Sequence, residues 1–179
     1  MAELDEARLW IRRASFVVLA CTITIAQLVP LDLRPATWAP PDLLLALTCV
    51  WVARRPDYLP VYIVAAVFFT TDLLLQRPPG LWAALVVLLT EAIRNRHRDL
   101  RAMPFLAEWG FVALGLTVIT LANRFVLAIV VTPQAPIGMT LMQLGATILI
   151  YPVAVVVTKY IFGVERPAPG DLRKIGQRL

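Results

Sequence analysis

From Ala14 to Leu31 the chain runs for 18 residues without a charge, directly after Arg8, Arg12 and Arg13. A helix of that length spans about 27 Å, close to the roughly 30 Å hydrocarbon core of a bilayer. In lipid only a helix or a closed barrel satisfies every backbone N–H and C=O, so a segment of this kind leaves few folds open. The pattern recurs. Met103–Val131 is interrupted only by Glu108 and Arg124, and Thr140–Gly163 only by Lys159. Shorter apolar stretches run from Leu43 to Ala53, from Tyr58 to Thr71 with an extension through Asp72 to Gln76, and from Pro78 to Thr90 with an extension through Glu91 to Ile93. Taken alone, each of these is equally a core helix or a re-entrant segment.

Composition favours membrane over water: 59% of residues are apolar and 16% charged, against roughly 45–50% and about 25% in soluble domains. Six spans of about 20 residues use roughly 120 residues, which leaves little of a 179-residue chain for a separate catalytic domain. The expected architecture is an all-α integral membrane protein of six transmembrane helices in a single domain, 1–179. The expected spans are 12–31, 41–53, 58–76, 79–93, 104–131 and 140–162, followed by a basic tail at 163–179. Val18-Leu19-Ala20-Cys21 loosely resembles a lipoprotein cleavage box, but the apolar run continues to Leu31 and the segment is read as retained.

Charge placement sets the expected orientation. With both termini cytoplasmic, 14 of the 17 basic residues lie on the inner side; Arg34 and Arg77 lie outside and Arg124 within the fifth span. Replacing the second and third spans by a half-inserted hairpin would bury Arg54 and Arg55, at about 2.5–3.5 kcal/mol each. Trp10, Trp38, Trp51, Trp82 and Trp109 fall near span ends, where indole rings prefer the interface. Pro152 inside the sixth span is expected to kink it. Ala66 and Thr70 place small residues one turn apart on the third.

Several function classes lose support for the same reasons. The formal charge of +5 comes from basic residues that punctuate apolar runs, so no nucleic-acid surface with stacking aromatics is expected. Cys21, Cys49 and the lone His97 supply neither a disulfide framework nor a zinc cluster, and no cofactor is expected. Without a nucleophile and base arrangement, the chain is read as non-enzymatic.

Charges inside the spans are the functional candidates. By helical rise Asp72 lies about 21 Å and Arg124 about 28 Å across from the inner side, and an ion pair between them is expected. The alternative is that Arg124 reaches the outer headgroups while Asp72 caps the following turn. Glu91 and Glu108 flank Arg94, Arg96, Arg98 and Arg101 at the inner side, forming an expected charge cluster joined by salt links. That cluster fixes topology and contacts anionic lipid at about 1 kcal/mol per basic residue, or else docks a cytoplasmic partner.

Pro41-Asp42-Leu43-Leu44-Leu45, then Trp51-Val52-Ala53-Arg54-Arg55-Pro56-Asp57, Asp72-Leu73-Leu74 and Pro79-Gly80-Leu81, in this order and spacing, resemble the MreD family of rod shape-determining proteins in its alphaproteobacterial form. The resemblance covers essentially the whole chain. It implies a non-enzymatic subunit of the bacterial inner membrane that acts with MreC, the MreB filament, RodA and a penicillin-binding transpeptidase to maintain rod shape. It also implies a fold similar to the six-helix substrate-binding subunits of energy-coupling-factor vitamin transporters. Pro41, Asp42, Arg54, Arg55, Pro56 and Gly80 would shape the family's turns. A substrate-binding subunit of a vitamin or metabolite importer is the alternative. It requires a pocket on the outer side, where the polar candidates are Asp32, Asp42, Asp72, Gln76, Arg77 and Arg124.

Overall fold

The computed structural model describes residues 2–29 and 38–162, and the side chains of 6–29, 38–97, 99, 100 and 103–160 within them. Every regular element among these residues is helical: α1 (Ala2–Leu28), α2 (Leu43–Arg54), a 3-10 turn (Pro56–Tyr58), α3 (Val61–Leu74), α4 (Leu81–Asn95), α5 (His97–Ala102), α6 (Phe105–Ile129) and α7 (Ile137–Phe162). The expected tail at 163–179 lies outside the described residues. Two elements differ most from expectation, while α3 starts three residues later and α7 three residues earlier than expected. The first helix begins ten residues earlier than 12, at Ala2, and the basic stretch expected to be a plain loop contains α5.

Prolines mark where helices begin. Pro60, Pro104 and Pro136 stand immediately before α3, α6 and α7, positions where a fixed φ helps and a missing N–H costs nothing. Their carbonyls accept the first helical bonds, from Val64, Glu108 and Thr140 respectively. Pro56 instead ends a helix. It holds Arg55 extended, at φ −143°, so α2 stops at Arg54. α3 and α6 both close through left-handed residues, Gln76 at φ 54° and Val131 at φ 53°. The next residue in each case returns a bond five positions back, Arg77 N to Asp72 O at 2.9 Å and Thr132 N to Leu127 O at 3.0 Å. These are Schellman closures without the usual glycine.

α2 is the centre of the bundle. Of its 12 residues only Leu43 and Leu47 are not buried, and it packs most extensively on α7, then on α4 and α1. Trp51 is 0% exposed, with its ring 5.4 Å from Phe16 and 6.5 Å from Tyr58. This corrects the interfacial expectation for Trp51: its ring fills the core between α1 and the α2–α3 turn. α3 pairs with α4, α4 with α6, and α6 with α7. At the α4–α6 contact a Cβ on Gly115 would meet the end of the Leu89 side chain, which would have to move aside.

The outward faces are apolar: Val18, Leu88, Leu114, Phe125 and Leu149 are among many large exposed side chains. Three helical stretches, Glu6–Leu28, Phe105–Ile129 and Ile137–Tyr160, are long and apolar enough to cross a membrane. Polar groups within the bundle are tied back locally. The hydroxyls of Thr24, Thr48, Thr71, Thr117, Thr147 and Thr158 each donate to the carbonyl four residues earlier, the satisfaction lipid demands of a buried hydroxyl.

Candidate functional site

Each end of the bundle gathers polar residues, for different reasons. At the end where α2 stops and α6 starts, Arg54 and Glu108 form an ion pair at 3.6 Å. Both are buried, Glu108 to 1% exposure, and the Tyr151 hydroxyl donates to Glu108 Oε1 at 2.9 Å. The trio ties α2, α6 and α7 together. Among the described residues Glu108 thus pairs with Arg54, the last residue of α2.

Of that cluster, Glu91 does pair with Arg94, at 2.8 Å. Arg94 also donates through Nη1 to Pro56 O at 3.3 Å and through Nη2 to Leu59 O at 2.5 Å. One guanidinium thus pins the α2–α3 turn to α4. Arg96 stands 5.7 Å above the Phe111 ring, and Arg55 lies 5.9 Å from the Tyr58 ring. The side chains of Arg98 and Arg101 are outside the described residues.

At the opposite end, the expected Asp72–Arg124 pair is not formed. Asp72 Oδ2 accepts from Gly80 N at 3.2 Å and Ala83 N at 3.1 Å. Gly80, at φ 85°, is the N-cap of α4 and has no side chain to cap it, so Asp72 supplies the cap from the preceding helix. Arg124 Nη1 instead donates to Ala135 O at 3.0 Å and Thr140 Oγ1 at 2.7 Å, and Gln134 Nε2 donates to Arg124 O at 3.1 Å. The guanidinium thereby ties α6 to the turn and start of α7. Two groups at one depth have each found a nearer partner.

Asp42, which follows Pro41, caps α2: its Oδ1 accepts from Leu45 N at 3.0 Å. Its own N–H donates to Thr147 Oγ1 at 2.9 Å, which joins α2 to α7.

Between these turns lies a cavity of about 410 Å³, lined on its polar side by Asp42, Gln76, Arg77, Asn123, Arg124 and Gln143, and on its apolar side by Leu45, Leu81, Trp82 and Leu116 among others. Four of the polar residues named for an outer pocket, Asp42, Gln76, Arg77 and Arg124, converge here; Asp72 is turned into the α4 cap and Asp32 lies outside the described residues. The signal for Asn123 and Gln143 is present in the sequence as carboxamides within apolar spans.

A second concavity, of about 400 Å³, is an open groove between α3 and α4. Its walls are Ala65, Ala66, Phe69, Gly80, Ala83, Ala84 and Val87. Among the described residues no three His, Cys, Asp or Glu side chains cluster as a metal site would require. Compared with family models, curated proteins and solved structures, the chain matches none.

Proposed function

We propose that this chain is a non-enzymatic, multi-pass scaffold subunit of the bacterial inner membrane. In this reading six helices cross the bilayer, both termini are cytoplasmic, and the fold is similar to that of energy-coupling-factor substrate-binding subunits. The chain serves the cell elongation machinery, linking RodA and its penicillin-binding transpeptidase to MreC and MreB. The assignment to that machinery rests on the resemblance carried by Pro41-Asp42, Arg54-Arg55-Pro56, Asp72 and Gly80.

One observation supports the interaction role best: the groove between α3 and α4, where five of seven lining residues are Ala or Gly. Helices in lipid associate through packing, and small residues let a partner backbone approach. The test is gentle-detergent purification of the tagged chain from its native membrane, with mass spectrometry of what it retains. MreC and wall-synthesis enzymes should be retained, and Ala66→Leu with Ala84→Leu should lose the partner seated in the groove while preserving the folded chain. Identical retention by the filled-groove variant would remove the groove from the reading. Copurification with an ATPase-driven transport module would replace the scaffold by the importer subunit, a second reading favoured by the polar cavity.

A further inference from the structure

The cavity between the α3–α4 and α6–α7 turns has a charge and polarity pattern that the scaffold reading does not use. Two arginines and one carboxylate line it, so its formal charge is +1. The Arg77 guanidinium makes no hydrogen bond and no ion pair within 4 Å among the described residues, although its charge acts on the Asp42 and Asp72 carboxylates, and Arg124 makes its two side-chain bonds through Nη1 alone. A guanidinium offers five N–H donors, so most of the donor capacity in this cavity is unspent. The carboxamides of Asn123 and Gln143 also lack side-chain hydrogen bonds among the described residues. Across from them the wall is leucine and Trp82.

The backbone around the cavity is held in a costly form. Gln76 and Val131, the left-handed closures of α3 and α6, directly precede Arg77 and Thr132, and both of those line the cavity. A left-handed conformation at a β-branched residue is a true outlier, and such strain collects at binding sites. The strained turns aim two chain segments at one space. At about 410 Å³ that space falls within the usual range for small-ligand sites, about 300–1,000 Å³.

We infer that this cavity binds an amphipathic anion, with a phosphate or carboxylate head held by Arg77 and Arg124 and an apolar body laid against Trp82 and the leucine wall. Planar guanidinium groups suit such heads because they present paired donors to paired oxygens. The head belongs either to an anionic phospholipid of the surrounding leaflet or to a water-borne organic phosphate or acid. The inference rests on the cavity and not on the scaffold role, so either can fail alone.

The test uses the full chain in nanodiscs of neutral phosphatidylcholine, with equilibrium dialysis of labelled hexyl phosphate and of hexanol as the uncharged control. Hexyl phosphate should bind saturably at one site and hexanol should not. Arg77→Gln should weaken hexyl phosphate binding about tenfold or more, the loss of one charge-assisted contact. If that variant does not fold, Asn123→Leu decides by the same readout. Phosphatidylglycerol added to the nanodisc separates the sources: competition with hexyl phosphate assigns the site to a lipid headgroup, and unchanged binding assigns it to a water-borne anion. Equal uptake of hexanol, or unaltered hexyl phosphate binding in folded variants, would overturn the inference.

Discussion

The indole Nε1–H of Trp109, on α6, donates at 2.9 Å to the carbonyl of Ile148 on α7. That carbonyl lies four residues before Pro152, the one residue type that returns no helical hydrogen bond. A proline has opened an acceptor inside the bundle and a neighbouring helix has closed it, while α7 continues through to Phe162. Trp109→Phe should therefore cost about 1–2 kcal/mol, a lost bond plus an orphaned carbonyl. In a Pro152→Ala background, where residue 152 again donates to Ile148, the same substitution should cost less than about 0.5 kcal/mol. Denaturation of the four proteins in mixed micelles measures the coupling.

Asp72 acts through the start of α4 and not through Arg124. Asp72→Ala should destabilise by about 1–2 kcal/mol, the range for losing a helix N-cap, and Asp72→Asn, which keeps an acceptor oxygen, by less. Asp72→Ala and Arg124→Gln should be additive within about 0.5 kcal/mol. Rescue of Asp72→Lys by Arg124→Asp would contradict the geometry.

The buried Arg54–Glu108 pair predicts an asymmetry between single and double substitution. Arg54→Met or Glu108→Leu alone breaks the buried pair and should cost about 3–5 kcal/mol. The double variant should be closer to the wild type than either single, because both desolvated charges of the pair are then removed together. Tyr151→Phe should be milder, about 1 kcal/mol, for one hydrogen bond.

Val131 sits at φ 53° with its side chain 87% exposed, so strain there is not offset by burial. Val131→Gly should raise stability by about 0.5–1 kcal/mol, less than the 1–2 kcal/mol cost of a left-handed residue because glycine loses more freedom on folding. A thermal melt in detergent checks it. A fall in melting temperature would mean that the valine stabilises the turn by contacts.

Apolar run length and the prolines make most of the helices legible in the sequence alone: Pro56, Pro60 and Pro104 stand at helix ends, and the long apolar stretches coincide with α1, α6 and α7. α5 is hidden because a basic stretch between apolar runs reads as a loop. The beginning of α1 is hidden because Asp5, Glu6 and Arg8 carry no apolar signal. Depth along a helix follows from counting residues, and it places Asp72 and Arg124 toward one end. Counting does not give azimuth, and azimuth decides partners: Asp72 is turned to α4 and Arg124 to the start of α7. The same counting sets Glu108, three residues into α6, level with Arg54 at the close of α2. Local charge density points to Arg94–Arg101 instead. The cavity requires both azimuth and turn geometry, so its residues are nameable singly but not as a set.

The helices of this bundle are unequal in length. α3 and α4 have 14 and 15 residues and α6 and α7 have 25 and 26, so the first two reach about 21–23 Å and the others about 38 Å along their axes. In the six-span reading proposed above, where α3 and α4 cross the bilayer as α6 and α7 do, the molecule meets the lipid as a wedge. Acyl chains beside α6 and α7 can stand at full height, while those beside α3 and α4 must shorten or the protein must tilt, at fractions of a kcal/mol for each ångström of disparity. The resulting elastic stress falls on one flank, the flank that carries the alanine-lined groove. In that reading lipid is held least comfortably at the surface where the proposed partner would displace it.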